Sequence, residues 1–268
     1  MLFRSRPQFV GGPSAAILTG DLAYRITLDV DELTGADAAE LAAFVRDPTV
    51  HFWIGPGSHA VGYSVRGGST YNLVFLCPDD LPPGVAKLAG DLDEMRALFA
   101  AWDPLLTKFL AQVRAVHKWK LMWLDALPSW ASPEGTFFMA GDCCHPMLPY
   151  LAQGANSSLE DGAVLGHLLG KVRARDMVRQ LPRVAETYQA LRMERGRRIQ
   201  LETFRQRDDF HMPDGEPQRR RDEKMLAVLG TELKEAFTSR WTCPVIQPFL
   251  YGYDAYAEAE RAFQEKPF

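Results

Sequence analysis

The sequence lacks the cysteine content of a disulfide-rich or zinc-binding protein. It contains 4 cysteines among 268 residues, and two of them, Cys143 and Cys144, are adjacent in the chain. Adjacent cysteines have poor geometry for an ordinary disulfide bond, and no set of cysteines and histidines has the spacing of a zinc site. We therefore expect no metal site and no disulfide framework. The four residues are interpreted as small, buried or half-buried thiols in a reducing compartment, which predicts a cytoplasmic protein.

Long apolar runs and a strong net charge are also missing. No apolar stretch approaches the roughly 20 residues that span a bilayer, and residues 1–7 are not followed by the apolar core of a signal peptide. The formal net charge of -4 at pH 7 gives no electrostatic basis for binding nucleic acid or an anionic membrane. Apolar residues make up 47% of the chain, which is ordinary for a globular protein with a large core.

The first part of the sequence is rich in strand signals. Residues 22–30 alternate, with Leu22, Tyr24 and Ile26 on one face and Arg25 on the other, which predicts a half-buried strand. A strand at 51–54, a hairpin through residues 66–69 and a helix over 37–45 follow. This part of the chain therefore predicts an antiparallel sheet with a helix packed on it.

The remaining sequence is predicted to be mostly helical. Asp103 followed by Pro104 is a strong helix start signal. Further helices are expected at residues 93–101, 184–207, 225–237 and 255–263, with one strand at 119–124. The arginines of the long 184–207 helix, such as Arg192 and Arg195, are expected to form a solvated face with ion pairs. The pattern as a whole favours the α+β class.

The central stretch, residues 136–166, has three parts. Residues 136–140 predict a buried strand, residues 141–154 a loop, and the helical pattern begins at Asn156, with Ser157 and Glu160 as a capping box. A helix N-terminus suits an anion or an electron-rich carbonyl. Asp142, at the end of the strand, suits the hydroxyls of a ribose or ribityl chain. Glycines at 162, 166 and 170 predict a bare helix face for close packing. The alternative is an ordinary strand, turn and capped core helix.

These residues resemble the single-component FAD-dependent aromatic hydroxylases, and in particular the salicylate-hydroxylase-like branch. The longest matching segments are Gly-Asp-x-x-His-Pro at 141–146, Pro-Tyr-Leu-Ala-Gln-Gly-Ala-Asn at 149–156 and Glu-Asp-Gly-Ala-Val-Leu at 160–165. Shorter matches lie at 19–25, 55–59, 72–74 and 124–130, and in the helix with Tyr188, Arg192, Arg195 and Arg198. The resemblance therefore extends over nearly the whole chain.

The resemblance implies a cofactor, co-substrates and a set of site residues. The cofactor is FAD, which is reduced by NADH or NADPH and reacts with O₂ to hydroxylate a small aromatic substrate. The implied FAD contacts are Gly141, Asp142, Pro146, Gly154, Ala155 and Asn156. Residues implied on the substrate side are Tyr24, Arg25 and Tyr150. The implied organisation is a mixed or antiparallel substrate-domain sheet with its helices at 1–125, a partial FAD-binding domain at 126–175 and C-terminal helices at 176–268.

The sequence departs from the family pattern in two places. The family begins with a βαβ unit bearing Gly-x-Gly-x-x-Gly, which binds the ADP half of FAD, and this sequence has no such pattern, so it resembles the C-terminal portion of a hydroxylase. Cys143 and Cys144 stand where the family usually has small residues. Two hypotheses follow: a FAD-dependent monooxygenase, or a non-catalytic remnant of one with weak or no FAD binding. For this chain we expect a colourless or weakly yellow protein.

Overall fold

The computed structural model describes residues 5–12 and 16–268. The chain forms two compact units. The sheet unit consists of Leu18–Leu121 and Phe210–Arg219. The helical unit consists of the described residues up to Ile17, together with Met122–Asp209 and Arg220–Phe268. Helices and one sheet are segregated along the chain, which confirms the α+β class.

The described strands form one six-stranded sheet in the order β2-β3-β4-β1-β6-β5. The strands are β1 (Ile17–Asp29), β2 (Val50–Gly55), β3 (Ser58–Val65), β4 (Thr70–Pro78), β5 (Lys87–Ala89) and β6 (His117–Trp123). The pairs β1–β4, β2–β3, β3–β4 and β5–β6 are antiparallel, as predicted for the first three. The short strand β5 has no counterpart among the sequence predictions, because three residues carry too little alternation to be recognised.

The described helices are listed here in chain order. They are α1 (Ser5–Val10), α2 (Ala38–Arg46), α3 (Leu92–Leu98), α4 (Pro104–Gln112), α5 (Gln153–Leu169), α6 (Met177–Phe210), α7 (Glu216–Ala227), α8 (Gln247–Tyr251) and α9 (Ala255–Glu265). Among the helices of the described residues, none is both long enough and apolar enough to cross a membrane. The predicted start of α4 is confirmed, since Asp103 accepts a hydrogen bond from the backbone N–H of Leu105 at 2.7 Å.

The core of the sheet unit lies between the sheet and helices α2, α3 and α4. Alternation along β1 places Leu22, Tyr24 and Ile26 in this core, fully buried, while Arg25 points to the opposite face and is exposed. In the helical unit, α5 packs on α9, and the core includes Val164 and Leu168 of α5. Each unit therefore has a hydrophobic core of its own.

Two secondary-structure predictions are wrong within the described residues. Residues 136–140 do not form a strand: they make one isolated bridge, Ala131–Phe138, in which the backbone N–H of Met139 donates to the Trp130 carbonyl at 2.7 Å. A strand requires a ladder of such pairs, and an apolar run alone does not supply the partner. The helix expected at 225–237 begins earlier, at Glu216, and ends at Ala227; Gly230 follows with φ of 74°.

The close packing expected on the glycine face of α5 is not made by the described residues. A methyl group built on Gly162 or Gly166 would meet no heavy atom within 4 Å among the described residues. Both glycines lie on an exposed face of α5 next to Leu159, whose exposed fraction is 73%. The buried face of α5 is instead formed by larger residues, including Ser157, Asp161 and Val164. The four-residue spacing of the glycines correctly predicted that they share one face of the helix. It did not predict that this face is exposed among the described residues.

Candidate functional site

The loop before α5 contains two tight turns and one left-handed residue that is not glycine. A 3₁₀ turn at Gly141–Cys143 is followed by a second at Pro149–Leu151, and Ala152 then adopts φ of 50°. A non-glycine residue in this region is strained by contact between its Cβ and the following carbonyl. This left-handed residue turns the chain directly into α5, which begins at Gln153.

The predicted capping box is therefore wrong. Ser157 lies inside α5, fully buried, and its hydroxyl has no hydrogen-bond partner among the described residues. Glu160 binds arginine side chains rather than the backbone of Ser157. The actual N-cap, Ala152, has no polar side chain, so it leaves the first N–H groups of α5 without a side-chain cap. Gly154 is the second residue of the helix, not the last residue of the loop.

Gly141 joins the loop to α5 and requires the absence of a side chain. Its φ is 65°, and a Cβ at this position would lie 2.6 Å from the hydroxyl oxygen of Ser158. Its backbone N–H donates to Oδ2 of Asp161 at 2.8 Å. The positive φ and the short distance to Ser158 both exclude a residue with a side chain at position 141. Glycine at this position therefore allows the loop to pack directly against α5.

Asp142 and the start of α5 lie side by side. Oδ1 of Asp142 is 3.9 Å from the position that a Cβ on Gly154 would take. Asp142 is half-buried, and Ala155 and Asn156 are exposed in the first turn of α5. A carboxylate that accepts hydrogen bonds from hydroxyls thus lies next to open N–H donors at the positive end of a helix dipole. The arrangement suits a ligand with hydroxyls beside an electron-rich carbonyl.

The other loop residues are held through their backbone carbonyls. Nε2 of Gln200 donates to the carbonyl of Pro146 at 2.9 Å, and Nε1 of Trp241 donates to the carbonyl of Tyr150 at 2.9 Å. The side chain of Tyr150 is buried. Nδ2 of Asn156 donates to Oε1 of Gln153 and to Oε1 of Glu160. These contacts fix the loop from α6 and from the segment before α8.

Tyr24 and Arg25 belong to the sheet unit. The hydroxyl of Tyr24 donates to Oε1 of Glu94 at 3.1 Å, and burial raises the pKa of this tyrosine. Nε of Arg25 donates to Oδ1 of Asn72 at 3.2 Å on the opposite face of the sheet. Consecutive strand residues point to opposite faces, so the two side chains do not face a common ligand. Their roles on the substrate side remain predictions.

A buried network of charged residues lies beneath the loop. Asp161 is fully buried, with Oδ2 at 2.5 Å from Nε2 of His145 and Oδ1 accepting from Nε of Arg192 at 2.7 Å. Although burial raises the pKa of the Asp161 carboxyl, the hydrogen bond from His145 and the charge of Arg192 outweigh it and lower this pKa below its ordinary value. The network links the loop, α5 and α6.

A second ion pair continues the network along α6. Both carboxylate oxygens of Glu160 accept from Arg195, at 2.7 Å each, and Oε2 also lies 2.8 Å from NH1 of Arg192. Paired contacts of this kind give a guanidinium–carboxylate interaction a fixed geometry. Arg195 also donates to the carbonyl of Phe249 at 2.5 Å, and its guanidinium lies 4.2 Å from the ring centre of Tyr253.

The expected solvated arginine face is wrong for two of its members. Arg192 is fully buried and Arg195 has an exposed fraction of 7%. The signal that could have shown this is the spacing of Tyr188, Arg192, Arg195 and Ile199, which places them on one helix face with buried apolar residues. The Tyr188 hydroxyl donates to the carbonyl of Met139 at 2.8 Å. Sequence reasoning also missed His145 and Asp161 as partners.

One group of potential metal ligands lies within this network. Ligand atoms of Cys144, His145 and Asp161 come within 4.8 Å of one another, all buried. Both oxygens of Asp161 already accept hydrogen bonds from Gly141 and Arg192. We therefore interpret the group as part of the hydrogen-bond network.

Comparison with known proteins identifies related sequences and folds. Residues 35–202 match a family described as FAD binding domain. The chain is 55% identical over 244 residues to the FAD-dependent monooxygenase OpS4 of Beauveria bassiana (strain ARSEF 2860), covering 91% of this chain and 56% of that protein. It is 33% identical over 193 residues to the 3-amino-4-hydroxybenzoate 2-monooxygenase of Streptomyces cremeus, covering 71% and 46%.

Among solved structures, a salicylate hydroxylase substrate complex is similar in fold. The TM-score is 0.72 at 23% identity, covering 95% of this chain and 59% of that one. The chain spans about half the length of the curated relatives it matches, 56% of one and 46% of the other. Together with the geometry of the loop and α5, these matches confirm the resemblance, and the chain belongs to the FAD binding domain family, among relatives that are FAD-dependent monooxygenases.

Proposed function

We propose that the loop at residues 141–152 and the N-terminus of α5 bind the flavin end of FAD. The observation that carries the proposal is the position of the Asp142 carboxylate beside Gly154 in the uncapped first turn of α5. The residues fit the cofactor: a carboxylate matches the ribityl hydroxyls, and open N–H groups match the pyrimidine edge of the isoalloxazine. Gly154 has no side chain to obstruct the approach.

In this proposal the chain contributes binding, orientation and electrostatics. Asp142 accepts hydrogen bonds from the ribityl hydroxyls, and the positive end of α5, at Gly154, Ala155 and Asn156, favours negative charge at the pyrimidine edge. Gly141 and Pro146 shape the loop around these groups. When bound, FAD supplies the transfer of reducing equivalents from NADH or NADPH and the reaction with O₂.

The substrate that we propose is a small aromatic molecule, hydroxylated in a cytoplasmic reaction. The names of relatives support this class, since they include a 3-amino-4-hydroxybenzoate 2-monooxygenase and a salicylate hydroxylase. We place Tyr150 on the substrate side because it lies in the same loop as Asp142. Of the two candidates on β1, Arg25 is the stronger, because it is exposed and its guanidinium suits a carboxylate, whereas Tyr24 is fully buried.

Titration with FAD, followed by flavin fluorescence, tests the proposal. We expect saturable but weak binding, and a tenfold or greater loss of affinity in Asp142→Asn, which corresponds to about 1.4 kcal/mol. Asp176→Asn is the matched control, since Asp176 lies in the same unit and its carboxylate pairs with the exposed Arg175 and Arg179. Unchanged affinity in Asp142→Asn would refute the assignment of this residue.

The second candidate is a non-catalytic remnant of a flavoprotein hydroxylase. It predicts weak or no FAD binding by the folded protein. A titration that does not saturate at any FAD concentration that leaves the circular dichroism spectrum unchanged therefore favours it over the first candidate.

A further inference from the structure

Three strands of the sheet unit place polar and apolar side chains together on the face opposite the core. Arg25 of β1 lies directly across from Val74 of β4. Two residues along β4, Asn72 lies directly across from Tyr63 of β3. Directly opposed residues of antiparallel strands project from the same face, and so do residues two apart on one strand. The face therefore combines a guanidinium and an amide with two half-buried side chains, those of Val74 and Tyr63.

The contact between Arg25 and Asn72 has a defined polarity. A guanidinium nitrogen can only donate, so the atom of Asn72 that lies 3.2 Å from Nε of Arg25 is the carbonyl oxygen Oδ1. The other end of the amide, Nδ2, is left without a hydrogen-bond partner among the described residues, although Asn72 has an exposed fraction of only 3%. A buried donor without a partner costs free energy, so an acceptor that binds beside it is stabilising.

Arg25 keeps its full positive charge in this arrangement. Its partner is a neutral amide, and it forms no ion pair with the residues that the structure describes. The acidic residues of β1 on the same face, Asp21 and Asp29, are each four residues away, which is about 13 Å along a strand. The exposed guanidinium therefore offers the N–H groups of both terminal nitrogens to an anion.

The charge of this face suits a carboxylate better than a phosphate. In their paired residues, strands β1, β3 and β4 place no lysine and no second arginine on it. One guanidinium balances the single negative charge of a carboxylate, whereas a phosphate group carries about two. Val61 and Val74 lie opposite each other on β3 and β4 and are half-buried, so an apolar ring has neighbours next to the guanidinium.

We propose that Arg25 and Asn72 together bind the carboxylate of an aromatic acid on this face. Arg25 contributes its charge and its terminal N–H groups, and Asn72 contributes Nδ2 as a second donor. Asn72 also positions Arg25, because its carbonyl oxygen holds Nε without neutralising the guanidinium. A carboxylate at position 72 would instead form an ion pair with Arg25 and repel the ligand. The identification of this ligand with the substrate rests on the proposed function, whereas the site itself lies within the sheet unit.

Titration with benzoate tests the site without FAD. In nitrogen-labelled protein, NMR follows the Nε–H signal of Arg25 and the Nδ2 signals of Asn72, each assigned by its loss in Arg25→Gln or Asn72→Asp. We expect saturable shifts of both signals with benzoate, and binding at least about tenfold weaker with benzamide, which has the same shape without the charge. Equal binding of the two probes, or no shift of either signal, would overturn the proposal.

Asn72→Asp separates ligand binding from a purely structural role of Asn72. The variant keeps the size of the side chain and the acceptor for Nε of Arg25, but it removes the Nδ2 donor and adds a negative charge. We expect a loss of benzoate affinity of at least about tenfold, with no loss of thermal stability. Arg46→Gln is the matched control, since it changes the net charge equally and Arg46 is exposed on α2, which covers the core face. Loss of affinity in both variants, or in neither, would contradict the role of Asn72.

Arg25→Gln decides the matter if Asn72→Asp does not fold. Arg25 is exposed, so its replacement leaves the core intact, and unchanged benzoate affinity in this variant overturns the proposal. FAD titration of the same protein separates this inference from the proposed function. Benzoate binding by a chain that binds no FAD supports the site and contradicts only the proposed function, whereas FAD binding without benzoate binding contradicts only the site.

Discussion

Nε2 of His145 lies 2.5 Å from Oδ2 of Asp161. The exposed fraction is 1% for His145 and 0% for Asp161, so both residues are buried. His145 lies in the loop that follows Asp142, and Asp161 lies in α5. The same carboxylate binds the backbone of Gly141 and the side chain of Arg192 on α6. The Asp161 carboxylate therefore joins Gly141 and His145 of the proposed flavin-binding loop to Arg192 on α6, and this relationship leads to the first two predictions.

Replacing Asp161 with asparagine is expected to destabilise the protein strongly. The change removes one of the two carboxylates that pair with the buried guanidinium of Arg192 in the part of the chain that the structure describes, and Glu160 remains. Loss of one member of a buried ion pair costs about 3 kcal/mol or more, and urea unfolding would measure the loss. Glu186→Gln is the control, since its pair with Lys266 is long and exposed and is worth less than about 1 kcal/mol. Equal stability of the two variants would contradict the importance of the network.

The contribution of Asp161 is expected to depend on pH. Its pKa in the folded protein is lower than its ordinary value, which is about 3.9 in an unfolded chain. A carboxyl of this kind stabilises the fold above the unfolded pKa and loses that contribution as the pH falls towards the folded value. The difference in unfolding free energy between the parent and Asp161→Asn should be constant near neutral pH and shrink below about pH 4. A difference that grows on acidification would show the wrong sign.

Two glycines near the site are expected to respond oppositely to alanine. In Gly141→Ala the new Cβ meets Ser158 at 2.6 Å and the backbone has φ of 65°, so we expect a loss of about 1–3 kcal/mol and weaker FAD binding. In Gly162→Ala the new Cβ meets open space, and the higher helix propensity of alanine should add about 0.5–1 kcal/mol. Thermal unfolding of both variants measures the contrast, and the same sign of change in both would contradict it.

The left-handed residue before α5 provides a further test. Ala152 has φ of 50°, a conformation that costs a β-branched residue more than alanine. We expect Ala152→Val to lose about 1–2 kcal/mol, while Ala152→Gly relieves the strain at the cost of greater freedom in the unfolded chain. If valine were tolerated as well as glycine, the start of α5 at Gln153 would be wrong.

The sheet and several helix starts could be predicted from sequence because their signals are local. Alternation along β1 placed Tyr24 and Arg25 on opposite faces, and Asp103 with Pro104 marked the start of α4. The capping box failed for the opposite reason. Ser157 and Glu160 have the right spacing, but Ala152, five residues before Ser157, turns the chain into the helix, and Arg195 binds the Glu160 carboxylate.

Long-range partners account for most of what the sequence did not show. Asp161 and Arg192 are 31 residues apart, and the spacing on α6 groups Arg192 and Arg195 with apolar residues without showing that their partners lie on α5. The run at 136–140 has the composition of a strand, but its pairing depends on residues at 130–132. The motif that identified the loop carried more information than periodicity, because it combined Asp142, Gly154 and their neighbours in one order.

Competition between ligands tests most directly whether the described residues bind the flavin end of FAD. Riboflavin carries the ribityl chain and isoalloxazine, whereas ADP carries only the other end of the cofactor. In a fluorescence titration we expect riboflavin to bind and to compete with FAD, to lose affinity in Asp142→Asn, and to be unaffected by an excess of ADP. Displacement of FAD by ADP but not by riboflavin would contradict the account.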